Sequence, residues 1–184
     1  MTDEELVERV LNSDKEALGE LFRRYHKPFF NLSYRFLGDH FLAEDLTSEI
    51  FLRIYKYLKT FDKGSRFKPW AYKVATNTCL SFRKAKTTFL FPKIKNENGE
   101  WQEKEVVDEK TNLLDEVCGN EIAERVQKAL QKLPEKYRLA LFLYYFEDLK
   151  YNEIAESLGM PVNTIRTHIK RGKEKLESEL SDLI

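Results

Sequence analysis

The sequence predicts an all-α protein: two small helical domains joined by a flexible linker. Three observations predict it. Apolar residues recur at steps of three and four along most of the chain, as in helices that bury one face. Only seven glycines and five prolines punctuate 184 residues, too few for the turns of a sheet protein. Between residues 87 and 119 the periodicity is lost: Phe89, Leu90, Phe91 and Trp101 stand scattered among Lys, Asn, Glu and Gly. A stretch so poor in apolar residues reads as a linker. The expected division is therefore 1–86, 87–119 and 120–184, with the alternative that the next helix begins early, near Asn112.

Composition narrows the function classes. Hydrophobic residues at 42% are enough for real cores, and 34% charged residues suit a soluble helical protein. Thirty-one basic and 31 acidic side chains cancel, which argues for local basic faces rather than a chain wrapped in nucleic acid. Cys79 and Cys118 lie in unrelated contexts, as expected in a reducing compartment. The acidic start, TDEELVERVLNSDKEA, does not resemble a signal peptide, and the longest apolar run, Leu139–Phe146, is too short to cross a bilayer. The expectation is a cytoplasmic protein without membrane insertion.

The first helix spans about residues 2–12 and buries Leu6, Val7, Val10 and Leu11; Asn12-Ser13-Asp14 closes it and caps the next. The second carries an apolar stripe, Ala17, Leu18, Leu21, Phe22, Tyr25 and Phe29, with a kink or break expected at Pro28. Tyr34, Phe36 and Leu37 extend the stripe to Gly38-Asp39. A third helix, about Leu42–Leu58, buries Leu46, Ile50, Ile54 and Leu58 at steps of four. Its other face shows Glu44, Asp45, Ser48, Glu49, Leu52 and Arg53, which is solvated or a docking face.

After a loop at residues 60–68, Pro69 opens the first turn of a fourth helix running to Lys86. It buries Ala71, Val74, Ala75 and either Leu80 or Cys79, and exposes Trp70, Lys73, Asn77, Arg83, Lys84 and Lys86. Basic residues mixed with Phe61, Phe67, Trp70 and Tyr72 form the composition found where unstacked bases meet cations and aromatic rings. The same residues are equally compatible with an aromatic core under a solvated basic surface.

In the second unit, Ile122, Val126, Ala129, Leu130 and Leu133 make one amphipathic helix stopped by Pro134. The next, EKYRLALFLYYFED, is apolar almost all round and should be central. Then come Asn152–Leu158, Gly159, and a helix opened by Pro161 that buries Val162, Ile165 and Ile169 and continues past Lys173 through Leu176, Leu180 and Leu183. Asn163, Thr164, Arg166, Thr167, Lys170, Arg171 and Lys173 face outward. Two helices joined at a glycine, the second rich in Arg, Lys, Thr and Asn, form a helix-turn-helix fit for a DNA major groove. An αα-hairpin with a merely solvated basic face is the alternative.

Catalytic patterns are missing. His26, His40 and His168 join no metal-ligating cluster, no glycine-rich phosphate loop occurs, and neither Ser nor Cys sits in a nucleophile motif. No cofactor and no metal is expected.

Three segments carry a resemblance: Gly38-Asp39 followed by AEDLTSEIFLRIY; RFKPWAYKVATNTCLSFRK; and LPEKYRLALFLYYFEDLKYNEIAESLGMPVNTIRTHIKRGKEKL. In order and spacing they resemble bacterial RNA polymerase sigma factors of the extracytoplasmic-function type (group 4 of the sigma-70 family), over nearly the whole chain except the linker. The resemblance implies an alternative sigma factor, not an enzyme, that binds core RNA polymerase and directs initiation at promoters with minus-10 and minus-35 elements. It implies that Asp45, Leu46, Ser48, Glu49 and Leu52 dock on the clamp coiled coil of the largest polymerase subunit. Phe61, Asp62, Lys63, Gly64 and Ser65 would line a pocket for a flipped minus-10 base. Trp70, Lys73, Asn77, Arg83 and Lys84 would hold the adjacent duplex and the melted non-template strand. Arg166, Thr167, Lys170 and Arg171 would read the minus-35 duplex, with Asn163, Thr164 and Lys173 on phosphates. The linker would thread the polymerase cleft, and an anti-sigma factor is a common further partner.

The chain departs from the family pattern in places. Ser48 stands for a usual Gln, Ser81 for a common Asp, Asn163 for a usual Gly and His168 for a usual Arg. Lys73-Val74 replaces the aromatic pair of housekeeping sigma factors, which implies weaker melting and stricter promoter demands. Two other classes stay open on sequence alone: a free-standing helix-turn-helix repressor or activator, and a DNA-acting enzyme.

Overall fold

The computed structural model of the chain describes residues 1–90, 94–95, 101–102 and 121–181. These residues form eight α-helices: α1 (Asp3–Leu11), α2 (Lys15–Leu37), α3 (His40–Tyr57), α4 (Phe67–Leu90), α5 (Glu121–Gln131), α6 (Glu135–Tyr145), α7 (Tyr151–Leu158) and α8 (Val162–Glu179). A 3-10 turn, Leu58–Thr60, follows α3. Two two-residue strands, β1 (Ile94–Lys95) and β2 (Trp101–Gln102), pair antiparallel inside the stretch expected to be structureless. The other residues of the expected linker lie outside the described ones, as do residues 182–184 and so the expected helical Leu183.

Local chemistry sets the boundaries. The Thr2 hydroxyl accepts from the Glu5 amide while the Glu5 carboxylate accepts from the Thr2 amide, a reciprocal cap for α1. The Asp14 carboxylate accepts from the amides of Glu16 and Ala17 to start α2, and the hydrogen bonds from the Ala17 amide, then from Arg9, hold its ionisation below the ordinary carboxylate value. Helix α2 runs on through Pro28 as one element, held by buried Tyr25 and Phe29 on either side. It ends at Gly38, whose φ of 78° suits a residue without Cβ. Asp39 then caps α3 through the Leu42 amide.

Helices α1–α4 pack together as one group and α5–α8 as another, with α5 and α6 resting on α2, and α7 on α4. In the first group Leu6, Phe29, Leu32, Phe36, Leu46, Ile50, Phe67 and Tyr72 are fully buried. In the second, Leu139, Leu143, Ile154 and Ile165 fill the centre. At Gly172 a Cβ would lie 2.9 Å from Leu141 Cδ1, so the absence of a side chain lets α8 cross α6 closely. Several expected core positions turn outward instead: Leu18 and Phe22 on α2, Ile122 on α5 and Phe146 after α6 are exposed.

Arg138 lies inside the apolar helix α6 and is only 2% exposed. Its guanidinium donates to the carbonyls of Leu130 (2.8 Å), Gln131 (2.8 Å) and Leu133 (3.0 Å), to Gln131 Oε1 (2.8 Å) and to the Phe36 carbonyl. The C-terminal carbonyls of a helix lack intrahelical donors, and here one side chain supplies them to α5 and α2 together. Burial, then the charge of Arg83, pushes its ionisation down to about 10. Arg138→Met should lower unfolding free energy by about 3 kcal/mol, because charged hydrogen bonds are lost and buried carbonyls stranded. Urea denaturation checks this; an unchanged midpoint would show that the carbonyls find other donors.

Candidate nucleic-acid and partner interfaces

The helix-turn-helix is built as its side chains demand. Helix α7 buries Ile154, Ala155 and Ser157, and ends at Gly159 with φ of 62°. The Met160 amide donates back to the Ala155 carbonyl (3.0 Å), which turns the chain into α8. Pro161 precedes α8 as its N-cap rather than its first helical residue. With Ile165 and Ile169 buried, Asn163, Arg166, Thr167, Lys170, Arg171 and Lys173 are exposed on the outer side, while Thr164 is half-buried. Lys170 and Lys173 pair with Glu174 (3.9 Å) and Glu177 (3.5 Å) one turn on; such exposed pairs are weak and easily exchanged for phosphate. The Arg166 guanidinium lies over the Tyr151 ring, 5.8 Å from its centroid.

The second basic surface is the loop before α4 and α4 itself. The Asp62 carboxylate accepts from the Gly64 amide (3.1 Å) and the Ser65 hydroxyl (3.3 Å), which folds Asp62–Ser65 into an exposed turn. Lys63 pairs with Glu8 of α1 (3.0 Å). Phe61 departs from the expectation: it is 7% exposed and packs edge-on to Phe67 (5.8 Å) and Trp70 (5.4 Å). A ring so placed is mostly enclosed by its aromatic neighbours beneath the turn. Lys73, Asn77 and Lys84 are exposed, and Trp70 is half-buried. Arg83 pairs with Glu135 of the second group (3.0 Å). The side chain of Lys86 lies outside the described residues.

The outer face of α3 is the third candidate. Asp45, Ser48 and Leu52 are exposed, the last 65% so. Glu49 is half-buried and holds Arg53 at 2.6 Å, which in turn donates to Ser81 Oγ (2.9 Å). Ser81 thus anchors Arg53. Leu46 is fully buried, so it supports this face from inside and cannot touch a partner. Beside Leu52, an apolar groove of about 420 Å³ opens between α2 and α3, lined by Leu18, Phe22, Phe51, Leu52 and Tyr55. Leu18 and Phe22 belong to this groove. Their spacing on α2 matches that of core residues, so no sequence signal separates them from Leu21 and Tyr25.

His168 sits half-buried on α8 against the Tyr137 ring (centroids 4.7 Å), with Nδ1 buried and lacking a hydrogen-bond partner. Burial, then the charges of Lys136 and Arg171, hold its ionisation below the ordinary histidine value. Among the described residues no group of three or more His, Cys, Asp or Glu could hold a metal ion, and no helix is long and apolar enough to cross a membrane.

Comparison with known proteins matches these elements in order. The family model of sigma-70 region 2 covers residues 21–89, and that of sigma-70 region 4 covers residues 123–176. The chain is 33% identical over 179 residues to the ECF RNA polymerase sigma factor SigW of Bacillus subtilis, spanning 96% of both chains. It is 31% identical to the ECF RNA polymerase sigma-E factor of Escherichia coli, over 100% of this chain and 97% of that one. Among solved structures, CnrH in complex with the cytosolic domain of CnrY shares the fold at a TM-score of 0.70 and 18% identity, covering 98% of this chain and 97% of that one. The sigma factor RpoE in complex with the anti-sigma factor NepR from Bartonella quintana does so at 0.67 and 19%, covering 89% and 96%.

The His168 geometry carries a pH dependence. A histidine whose folded-state ionisation is depressed binds fewer protons folded than unfolded, so its contribution to stability is intact above the ordinary value of 6.5 and is lost as pH falls below it. The melting temperature should fall more steeply from pH 7.5 to 5 in the native chain than in His168→Gln. Parallel slopes would show that His168 is not the titrating group.

Proposed function

This chain belongs to the extracytoplasmic-function sigma factors of the sigma-70 family, and from that premise we propose how its helices divide the work. A protein of this family is a transcription initiation factor rather than an enzyme: it joins core RNA polymerase and directs initiation at particular promoters. Residues 1–86 are the unit that docks on polymerase and opens the minus-10 element, residues 120–184 read the minus-35 element, and residues 87–119 connect them. The site of action is the cytoplasm, where the polymerase works. The relatives seen bound to NepR and CnrY support an anti-sigma factor as a further partner.

One observation carries the reading of α8. It buries Ile165 and Ile169 while exposing Asn163, Arg166, Thr167, Lys170, Arg171 and Lys173, so a duplex meets only hydrogen-bonding and cationic side chains. On the α4 side, the exposed turn Asp62–Ser65 supplies amide and hydroxyl groups to an unstacked base, with Phe61 as support beneath. Lys73, Asn77 and Lys84 track the strand, and Trp70 and Arg83 flank it. The α3 face and its apolar groove take the polymerase clamp, with Leu52 at the centre and Asp45, Ser48 and Glu49 around it.

Transcription in vitro with purified core polymerase and a randomised promoter library tests this directly. Initiation should concentrate on sequences that share two elements separated by a fixed spacing. A chain that binds one DNA site alone at about nanomolar affinity and leaves polymerase unchanged would instead be a free-standing repressor or activator. Two further outcomes are expected. Arg171→Ala should change preference at one minus-35 position, read from the same library; a uniform loss across sequences would make it a phosphate contact. Glu49→Lys combined with Leu52→Asp should abolish polymerase capture while helical circular dichroism stays native, since Leu52 is exposed and Glu49 loses only a partly exposed pair with Arg53. Capture at the native level would falsify the docking face.

A further inference from the structure

The turn Asp62–Ser65 takes its shape from its own bonds and its place from elsewhere. Within it the Asp62 carboxylate accepts from Gly64 and Ser65, and the Ser65 amide donates to the Asp62 carbonyl (2.9 Å). These bonds close the turn on itself, so they do not set where it stands on the protein. Its anchors lie at its two ends. Before it, the Phe61 ring rests against Phe67 and Trp70. After it, Phe67 opens α4 and is buried, with its ring also edge-on to Tyr25 of α2 (5.4 Å).

The Phe67 amide is held by a carboxylate 63 residues earlier in the chain. The first amides of a helix have no intrahelical acceptor, and the side chain just before the helix commonly supplies one. Here that residue is Arg66, which has only donors. Glu4 of α1 takes its place: Oε1 accepts from the Phe67 amide at 2.8 Å in a partly buried position, and its charge suits the positive end of α4. Helix α1 is anchored in turn on α2, where Asp3 accepts from the Tyr25 hydroxyl (2.6 Å) and pairs with Arg24 (2.9 Å), while Leu6 and Val7 are buried. Adjacent carboxylates of one helical turn thus tie α1 to both α2 and α4. The Lys63–Glu8 pair adds a second tie to the turn, but both side chains are exposed and salt screens them, so it contributes little. A cleft of about 150 Å³ opens between α1 and the turn, with Val7, Leu11, Phe61 and Lys63 among its walls, so the turn is propped at points rather than packed along its length.

We infer that α1, which lies outside the residues matched by the region 2 model, sets how selectively the turn accepts its minus-10 base, with Glu4 as the positioning residue. Reading a base requires donors and acceptors held to within about 0.5 Å of their productive places. A turn released at its α4 end keeps its internal bonds but shifts as a body, and its groups then meet right and wrong bases more equally. Glu4 acts through the Phe67 amide and not by touching DNA. Polymerase docking on α3 and duplex reading on α8 use other elements, so they do not depend on it. The inference rests on the proposed role of Asp62–Ser65.

Initiation by the full chain with core polymerase, on a promoter library randomised across the minus-10 element, tests it. Glu4→Ala should flatten the preference at one minus-10 position by about three- to tenfold, the range that one lost hydrogen bond carries. The minus-35 profile and polymerase capture should stay native. Glu4→Gln keeps an oxygen that accepts from the Phe67 amide, and should restore the preference. Asp62→Ala breaks the turn's own bonds and should flatten the same position. A Glu4→Ala chain that keeps the native profile, or that loses initiation equally on every sequence, overturns the inference, as does a Glu4→Gln chain no more selective than Glu4→Ala. Should Asp62→Ala leave the minus-10 profile native, the parent reading of the turn fails and the role of α1 falls with it.

Discussion

The structure depends on how the buried guanidinium of Arg138 is satisfied. A cation inside an apolar helix is costly unless each donor finds an acceptor. Here the acceptors are backbone carbonyls at the C-terminal ends of α5 and α2, groups that helices leave orphaned. One side chain therefore closes α5 onto α6 and ties both to the first helical group. Gln127 and Gln131 extend the same device along α2, and the side chain of Gln131 also packs against Gly38, where α2 ends. The junction thus fixes how α5 meets α6 and how both sit on the end of α2.

The working surfaces follow from what that scaffold leaves outward. Helix α8 is positioned by Ile165, Ile169 and the close approach at Gly172, which frees a polar and cationic side. Helix α3 is held from inside by Leu46, Thr47 and Ile50, and the Thr47 hydroxyl is spent on the Ala43 carbonyl and Ser33, so its outer side is left for a partner. Between α2 and α3 the groove is lined by Leu18, Phe22 and Leu52, each of them exposed. A large apolar patch on a protein with so many charged residues marks a place where another macromolecule packs.

Much of this was legible in the sequence because helices write their packing as periodicity. The helix-turn-helix was readable to within a residue or two, since Gly159 must break the helix and the spacing of Ile154, Ile165 and Ile169 admits one hydrophobic side. Leu18 and Phe22 were not readable: an exposed apolar groove and a core use the same residues at the same spacing. For Phe61 the sequence left a base contact and an aromatic core equally open; its neighbours Phe67 and Trp70 enclose it, a fact of three-dimensional packing that loop composition does not carry. Arg138 escaped notice because an isolated charge in an apolar run reads as a surface residue, and its acceptors come from far along the chain.

The central claim is that two separated helices of one chain, α4 and α8, hold two separated parts of the same promoter while α3 rides on polymerase. Photo-cross-linking in the assembled holoenzyme tests it most directly, with probes placed one at a time at Lys73 and Arg171. The account predicts that the Arg171 probe marks the upstream element on duplex DNA and that the Lys73 probe marks the downstream element near the opened strand. Both probes marking the same element, or neither marking DNA in the presence of polymerase, would contradict it.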